Sequence, residues 1–407
     1  MTNLFQRQLA FRALWCLAAL GAVFLWGGRL RLSSPRPNLL RFSHTYTTES
    51  EQAILREVIE EFERAHPGVH VEQAIANSEV YQTVGWRLQF RGRQQPDIFF
   101  LWQGYKVEYA IEYGWALDVT PFLPPGFLDQ FVPTAIRRVS GGLYHLPQSV
   151  DISNLVWYNQ ALFQKLGLSE PATIPEWLGA CAALRRANLL PLGQGNRDLW
   201  PMGNWGAELL GQSLGAERLS QLFQPGRPVA PDQLGGLGAF VQMREQGDFD
   251  LPGVLSHDAI ASLGDIDAKV LFLTGKSAQH VVGSWFLADI QDARAKNELK
   301  FPVGVFAVPS APGETAAMTA VTTGFLVNRQ TKNPRAAVDF LELLLSRKYQ
   351  EKFARIGNLS ARRDAVAFTT DPLAKKMLGF LASTPVTVPP PDTGYSPEQA
   401  AVFYELT

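Results

Sequence analysis

Apolar positions along this chain fall into strand-like and helix-like runs that alternate from residue 39 onward. Residues 39–43 form a short apolar run of strand length. Thr48 and Glu51 then make an S/T-x-x-E capping signature. Ile54, Leu55, Val58, Ile59 and Phe62 follow at helical spacing. His66-Pro67-Gly68 stops that helix, because Pro and Gly cannot comfortably continue it. Val69, Val71 and Ile75 alternate as in a strand, and residues 78–91 read as a second helix. Ile98-Phe99-Phe100-Leu101-Trp102 is a continuous apolar strand, and a helix over 106–113 ends at Gly114. Further strands are predicted over 155–158, 278–282 and 303–308, and further helices over 174–187 and 334–345. Strand, helix, strand, helix, strand at this spacing predicts a parallel sheet with crossover helices. The unbroken apolar strand at 98–101 fits burial on both faces.

The N-terminus has a different pattern. Residues 9–28 are almost wholly apolar, interrupted by Arg12, and the uninterrupted core is 13–28. That is shorter than the roughly 20 residues of a transmembrane helix and suits the apolar region of an export signal. Arg7 and Arg12 precede it, and no acidic residue occurs before Glu49. We expect residues 1–32 to be an export signal, either cleaved or kept as an uncleaved membrane anchor, joined by a short linker at 33–38 to a periplasmic or extracytoplasmic body. With Cys16 inside that segment, Cys181 alone is left for the body, so an internal disulfide is excluded there, and no zinc-type Cys/His spacing occurs. A length of 407 residues allows two or three domains or one two-lobed body. Lys and Arg total 37 against 38 for Asp and Glu, which argues against a nucleic-acid partner.

Catalytic signals are sparse. Gly211-Gln212-Ser213-Leu214-Gly215 matches the nucleophile-elbow pattern, which requires a strand before the Ser and a helix after it. The residues before it, 205–210, read as helix, so an exported serine hydrolase is the lesser alternative. Asp248 with Asp250 and Asp265 with Asp267 are acid pairs in Gly-rich stretches, and they read as solvated. The six His are scattered, and the one i, i+4 spacing, His66 and His70, spans the helix-stopping Pro67-Gly68 rather than a helix face, so no metal or cofactor is expected. Trp is more informative. Trp157 and Trp177 read as core, whereas Trp102, Trp200, Trp205 and Trp285 sit at element ends beside Gly, Pro or Asn. Ligands of α/β sheets bind beyond the carboxyl ends of strands. A flat ring with one polar handle there suits the C–H face of a sugar.

Several ordered blocks carry a family resemblance. Glu60-Glu61-Phe62-Glu63 leads to His66-Pro67-Gly68-Val69, and Pro96-Asp97-Ile98-Phe99 follows. Gly142-Leu143-Tyr144 precedes Leu146-Pro147, then Trp157-Tyr158-Asn159, Leu162-Phe163 and Leu166-Gly167-Leu168. Later blocks are Ile174-Pro175-Glu176-Trp177, Phe272 to Ala278 with Gly283-Ser284-Trp285, Pro302-Val303-Gly304-Val305, and Asn333-Pro334 with Phe340-Leu341. Together these resemble the extracellular solute-binding proteins of ABC importers, in the sugar-binding group that includes maltose-binding protein. The resemblance implies an α/β, two-lobed periplasmic-binding-protein-like fold of type II, with lobe 1 at 39–150 plus 309–357 and lobe 2 at 151–308 plus 358–407. It implies no enzymatic activity, a carbohydrate in the interlobe cleft, hinge closure, and delivery by a monomer to the membrane permease subunits. Carried over by position, the ligand residues are Tyr46, Thr47, Trp102, Gln103, Asp151, Trp200, Trp205 and Trp285. A ligand sensor that docks on a membrane receptor would use the same body.

Overall fold

Thr48 caps the first helix as its sequence predicts: its hydroxyl accepts from the Glu51 N–H, and the Glu51 carboxylate accepts from the Thr48 N–H. This computed structural model describes residues 38–222, 231–250, 256, 259, 261–311, 317–384 and 386–404. The expected anchor at 1–32 lies outside the described residues, among which no helix is long and apolar enough to cross a membrane. Apart from Leu39, the elements below belong to the unit Leu40–Thr407.

The first sheet holds β1 (Leu39–His44), β2 (His70–Ile75), β3 (Ile98–Trp102), β6 (Leu146–Ile152), β11 (Ala317–Val327) and β12 (Val386–Val388), after the small ribbon β4 (Arg138–Val139) and β5 (Gly142–Leu143). The second sheet holds β7 (Leu155–Asn159), β8 (Leu190–Leu192), β9 (Ser277–Val282) and β10 (Val303–Ala307) in the order β10-β7-β9-β8. Both sheets are mixed, which corrects the expectation of a parallel sheet. β1 and β3 are parallel, with Phe42 opposite Ile98, but β11 runs antiparallel to both β3 and β6. β7 is antiparallel to both β9 and β10. The cause is the chain path. The chain leaves the first sheet at Ile152, enters the second at Leu155, and returns as β11 running back along the strand it left by.

Each sheet has its own apolar core. Helices α1 (Glu49–Ala65) and α7 (Pro334–Leu344) cover the first, where Phe340 meets Phe62 and Phe42 edge-on at 5.3 and 5.1 Å. Fully burying each such side chain contributes about 1.5–3 kcal/mol. The second core packs α3 (Ile174–Arg186) and α4 (Trp200–Leu222) on one face of the second sheet, with Trp177 and Cys181 fully buried, while Trp157 is buried on the other face of β7 against Phe286. A polar knot ties the crossing together. Asn154 donates to the Asn204 carbonyl at 2.9 Å and to the Glu208 carboxylate at 3.1 Å, and Glu208 also accepts from the Thr319 hydroxyl at 2.7 Å. β11 bulges between Thr323 and Gly324, where a Cβ on Gly324 would lie 2.0 Å from the Leu146 carbonyl oxygen.

Candidate ligand-binding site

The carboxyl ends of β1, β3 and β6 open onto a cavity of about 180 Å³, with room for on the order of a dozen waters. That is the size range of one or two sugar rings. The first-sheet side contributes Tyr46 and Thr47 from the turn after β1, Glu51 from α1, and Glu79 and Gln82 from the stretch 78–91. This stretch is helical as expected, but it passes through a π turn at Tyr81–Gly85. Such turns recur at functional sites because they rotate side chains off the regular helical stripe. Trp102 ends β3, ahead of helix α2 (Tyr105–Glu112), and its ring packs edge-on against Phe100 at 4.9 Å. The Lys106 ammonium sits 4.5 Å from that ring's centre.

The floor is β6 against β11. Ser149 and Asp151 share a face of β6, two residues apart, and Ser149 donates to Asp151 at 3.1 Å. Ser149 lies opposite Thr323, their hydroxyls 2.6 Å apart. Burial raises the Asp151 carboxyl to about 6, against the hydrogen bonds from these hydroxyls. Burial likewise raises Glu51 and Glu79 to about 7 each.

The second-sheet side brings Trp200 at the start of α4, helix α5 (Asp265–Leu273), and Trp285 at the N-terminus of α6 (Phe286–Ala295). The two rings pack with centres 5.9 Å apart, tilted by 56°. Gly283 makes this possible: a Cβ there would lie 2.1 Å from the Trp285 ring. The Trp200 indole N–H donates to the Glu79 carboxylate at 2.9 Å, a bond between residues on opposite walls of the cavity. Lys269 bridges Asp265 at 3.0 Å and Asp289 at 3.4 Å. These two carboxylates outweigh burial and hold the Lys269 ammonium charged, above its ordinary pKa.

Six of the eight residues singled out by position line this cavity: Tyr46, Thr47, Trp102, Asp151, Trp200 and Trp285. Two do not. Trp205 points from α4 into the second core, fully buried against Trp177 and Phe240 at 5.4 and 4.4 Å. Gln103 lines a separate, much smaller cavity with Val107, Tyr144 and His145. The acid pairs are not simply solvated, contrary to the expectation for them. Asp248 is fully buried and paired with Arg185, and Asp265 is buried in the first turn of α5 against Lys269. The signal for the second was present as an acid and a lysine four apart after Gly264. Asp289 also lies four residues after Trp285, on the same helix face. Ser213 lies inside α4, and its hydroxyl donates to the Leu210 carbonyl at 3.2 Å. The strand-to-helix turn that its sequence pattern requires is not there. Among the described residues no cluster of His, Cys, Asp and Glu could hold a metal ion.

The family described as bacterial extracellular solute-binding protein matches residues 46–351. An ABC transporter extracellular-binding protein of Pyrococcus horikoshii is 22% identical over 357 residues, 85% of this chain and 76% of that one. The multiple sugar-binding protein of Streptococcus mutans is 21% identical over 74% of this chain and 70% of its own. Among solved structures, a chitin oligosaccharide binding protein superposes with a TM-score of 0.79 at 21% identity, over 90% of this chain and 93% of that one. The superposition shows that this chain has the two-lobed α/β fold of solved solute-binding proteins.

Proposed function

We propose that this chain, which belongs to the bacterial extracellular solute-binding protein family, holds a carbohydrate in the cavity between its two sheets and hands it to an ABC permease. The observation that carries the reading is the cavity wall itself. Trp102, Trp200 and Trp285 stand around it as ring platforms. Tyr46, Ser153 and Asn204, also in its lining, carry buried polar oxygens with no hydrogen-bond partner among the described residues. Buried polar groups are almost always paired, so such a lining suits a polyhydroxylated ligand. The names of the relatives in Streptococcus mutans and of the chitin oligosaccharide binder support the same class.

In this reading residues 39–150 with 309–357 and residues 151–308 with 358–407 are the lobes. The two chain crossings near Ile152–Leu155 and between β10 and β11 support that division, and β12 departs from it by pairing with β11 in the first sheet. No bond is made or broken, and the ligand acts by binding the closed arrangement better than the open one. The body works as a monomer outside the cytoplasm, held at the membrane by residues 1–32.

Intrinsic Trp fluorescence and thermal melting of the full-length chain against a panel of carbohydrates test this. One sugar class is expected to shift the emission and to stabilise the fold by about 2.7 kcal/mol at a hundredfold excess over Kd. A well-folded sample that stays flat with every carbohydrate would sink the reading.

Two further results are expected. A hydroxyl that donates to the ionised Asp151 carboxylate favours the form that predominates above about pH 6. Affinity should therefore be lost as pH falls through about 6. Glu51 and Glu79 push the same way near pH 7. Asp151→Asn should remove the step near 6, and an affinity that instead rose on acidification would contradict the assignment. Gly283→Ala should weaken binding about tenfold by displacing the Trp285 ring, a cost of about 1.4 kcal/mol. An unchanged Kd in a titration of this variant would place the ring outside the site.

A further inference from the structure

The charges around the cavity are one-sided. Among the described residues, Glu51, Glu79, Asp151, Asp265, Asp289 and Asp392 line it, against Lys269 alone of the cationic side chains. The acids also come from both walls. Glu79 lies close enough to Asp265, and Glu51 close enough to Asp289, that each facing carboxylate adds to the effect of burial in raising the first. Lys269 is already committed to Asp265 and Asp289. Lys106 faces Asp392 from behind the Trp102 ring, outside the lining. Asp265 is 95% buried on its relative exposure of 5%, and its Oδ1 has no hydrogen-bond partner among the described residues. That oxygen can only accept. Asn204, 2% exposed, presents a second unpartnered acceptor, Oδ1.

Bringing two acid-bearing walls together is repulsive unless something positive lies between them. The tilted Trp200–Trp285 pair stands among these acids, and aromatic faces attract cations as well as C–H surfaces. We propose that the ligand carries a protonated amine, seated between the Trp200–Trp285 pair and the carboxylates of Glu79 and Asp265. This rests on the carbohydrate reading and narrows it to amino sugars. The amine supplies the donor hydrogens that Asp265 and Asn204 lack, and it turns the facing carboxylates from a barrier to closure into its driving force.

The test is calorimetric titration of the full-length chain with three probes: a glucosamine oligomer, the same oligomer fully N-acetylated, and spermidine. The free-amine oligomer is expected to bind about tenfold or more tightly than its acetylated counterpart, with affinity falling as salt is raised. Glu79→Gln should erase most of that preference. Asp265→Asn should do the same, and the melting temperature of each variant reports whether the fold survives. Equal affinity for the two oligomers, or preference for the acetylated one, would overturn the amine and leave the carbohydrate reading standing. Binding of spermidine without either oligomer would keep the amine and overturn the carbohydrate.

Discussion

Trp285→Ala is expected to weaken ligand binding by about 2–4 kcal/mol, roughly 30- to 700-fold, while the fold persists. The ring stands at the head of α6 with one side toward Trp200 and the rest in the cavity lining. It is partly buried, so its loss should cost the fold only about 1 kcal/mol, the common size for a truncation of this kind. The paired variant is Trp205→Ala. Trp205 is equally suggestive in sequence, but its ring is fully buried among Trp177, Phe240 and Phe249. Removing it should cost about 3–5 kcal/mol of stability, through lost burial and the cavity left behind. Melting and titration of both variants separate the roles. Wild-type affinity in Trp285→Ala would remove that ring from the site. A wild-type melting temperature in Trp205→Ala would contradict its place in the core.

Lys269→Met should destabilise the ligand-free protein by about 3 kcal/mol, toward the lower end of the range for breaking a buried ion pair. The lower end applies because Asp289 is a third exposed, whereas Asp265 is nearly inaccessible. The loss comes from two carboxylates stranded without their cation rather than from the ammonium itself. Adding Asp265→Asn and Asp289→Asn to the variant should therefore restore most of the stability. Denaturant titration reads both steps. A loss below about 1 kcal/mol would mean that water already screens the triad.

What the sequence could show depends on how local each signal is. The Thr48–Glu51 box, the Pro67-Gly68 stop and the apolar run into Trp102 are each complete within a few residues, and each forms as read. β11 gives no such signal. Ala317–Val327 is buried along nearly its whole length, so it does not alternate, and its Thr residues and Gly324 blur the apolar run. Missing that strand hides the antiparallel half of the first sheet, and with it Thr323 opposite Ser149. That Trp102 and Trp285 would come together at one cavity was legible because strand direction alone predicts which ends of the strands converge. Trp205 shows the limit of that rule. It lies five residues after Trp200 on one helix, and which of the two faces the cavity is settled by tertiary packing. The acids were missed for the opposite reason: Asp265 looks like a loop residue until α5 begins at it.

The β6–β11 pairing has a mechanical consequence. This ribbon forms the cavity floor, and its ladder runs from Phe325 opposite Leu146 to Ala320 opposite Ile152, at the edge of the chain crossing. A hydrogen-bonded ribbon resists sliding but bends, most easily where a bulge has already broken the pleat. Here that soft point is between Thr323 and Gly324, beside the Ser149–Asp151 face that lines the cavity floor. If the cavity opens and closes as proposed, this ribbon would act as a leaf spring, flexing with its strand register kept and its ladder bonds intact.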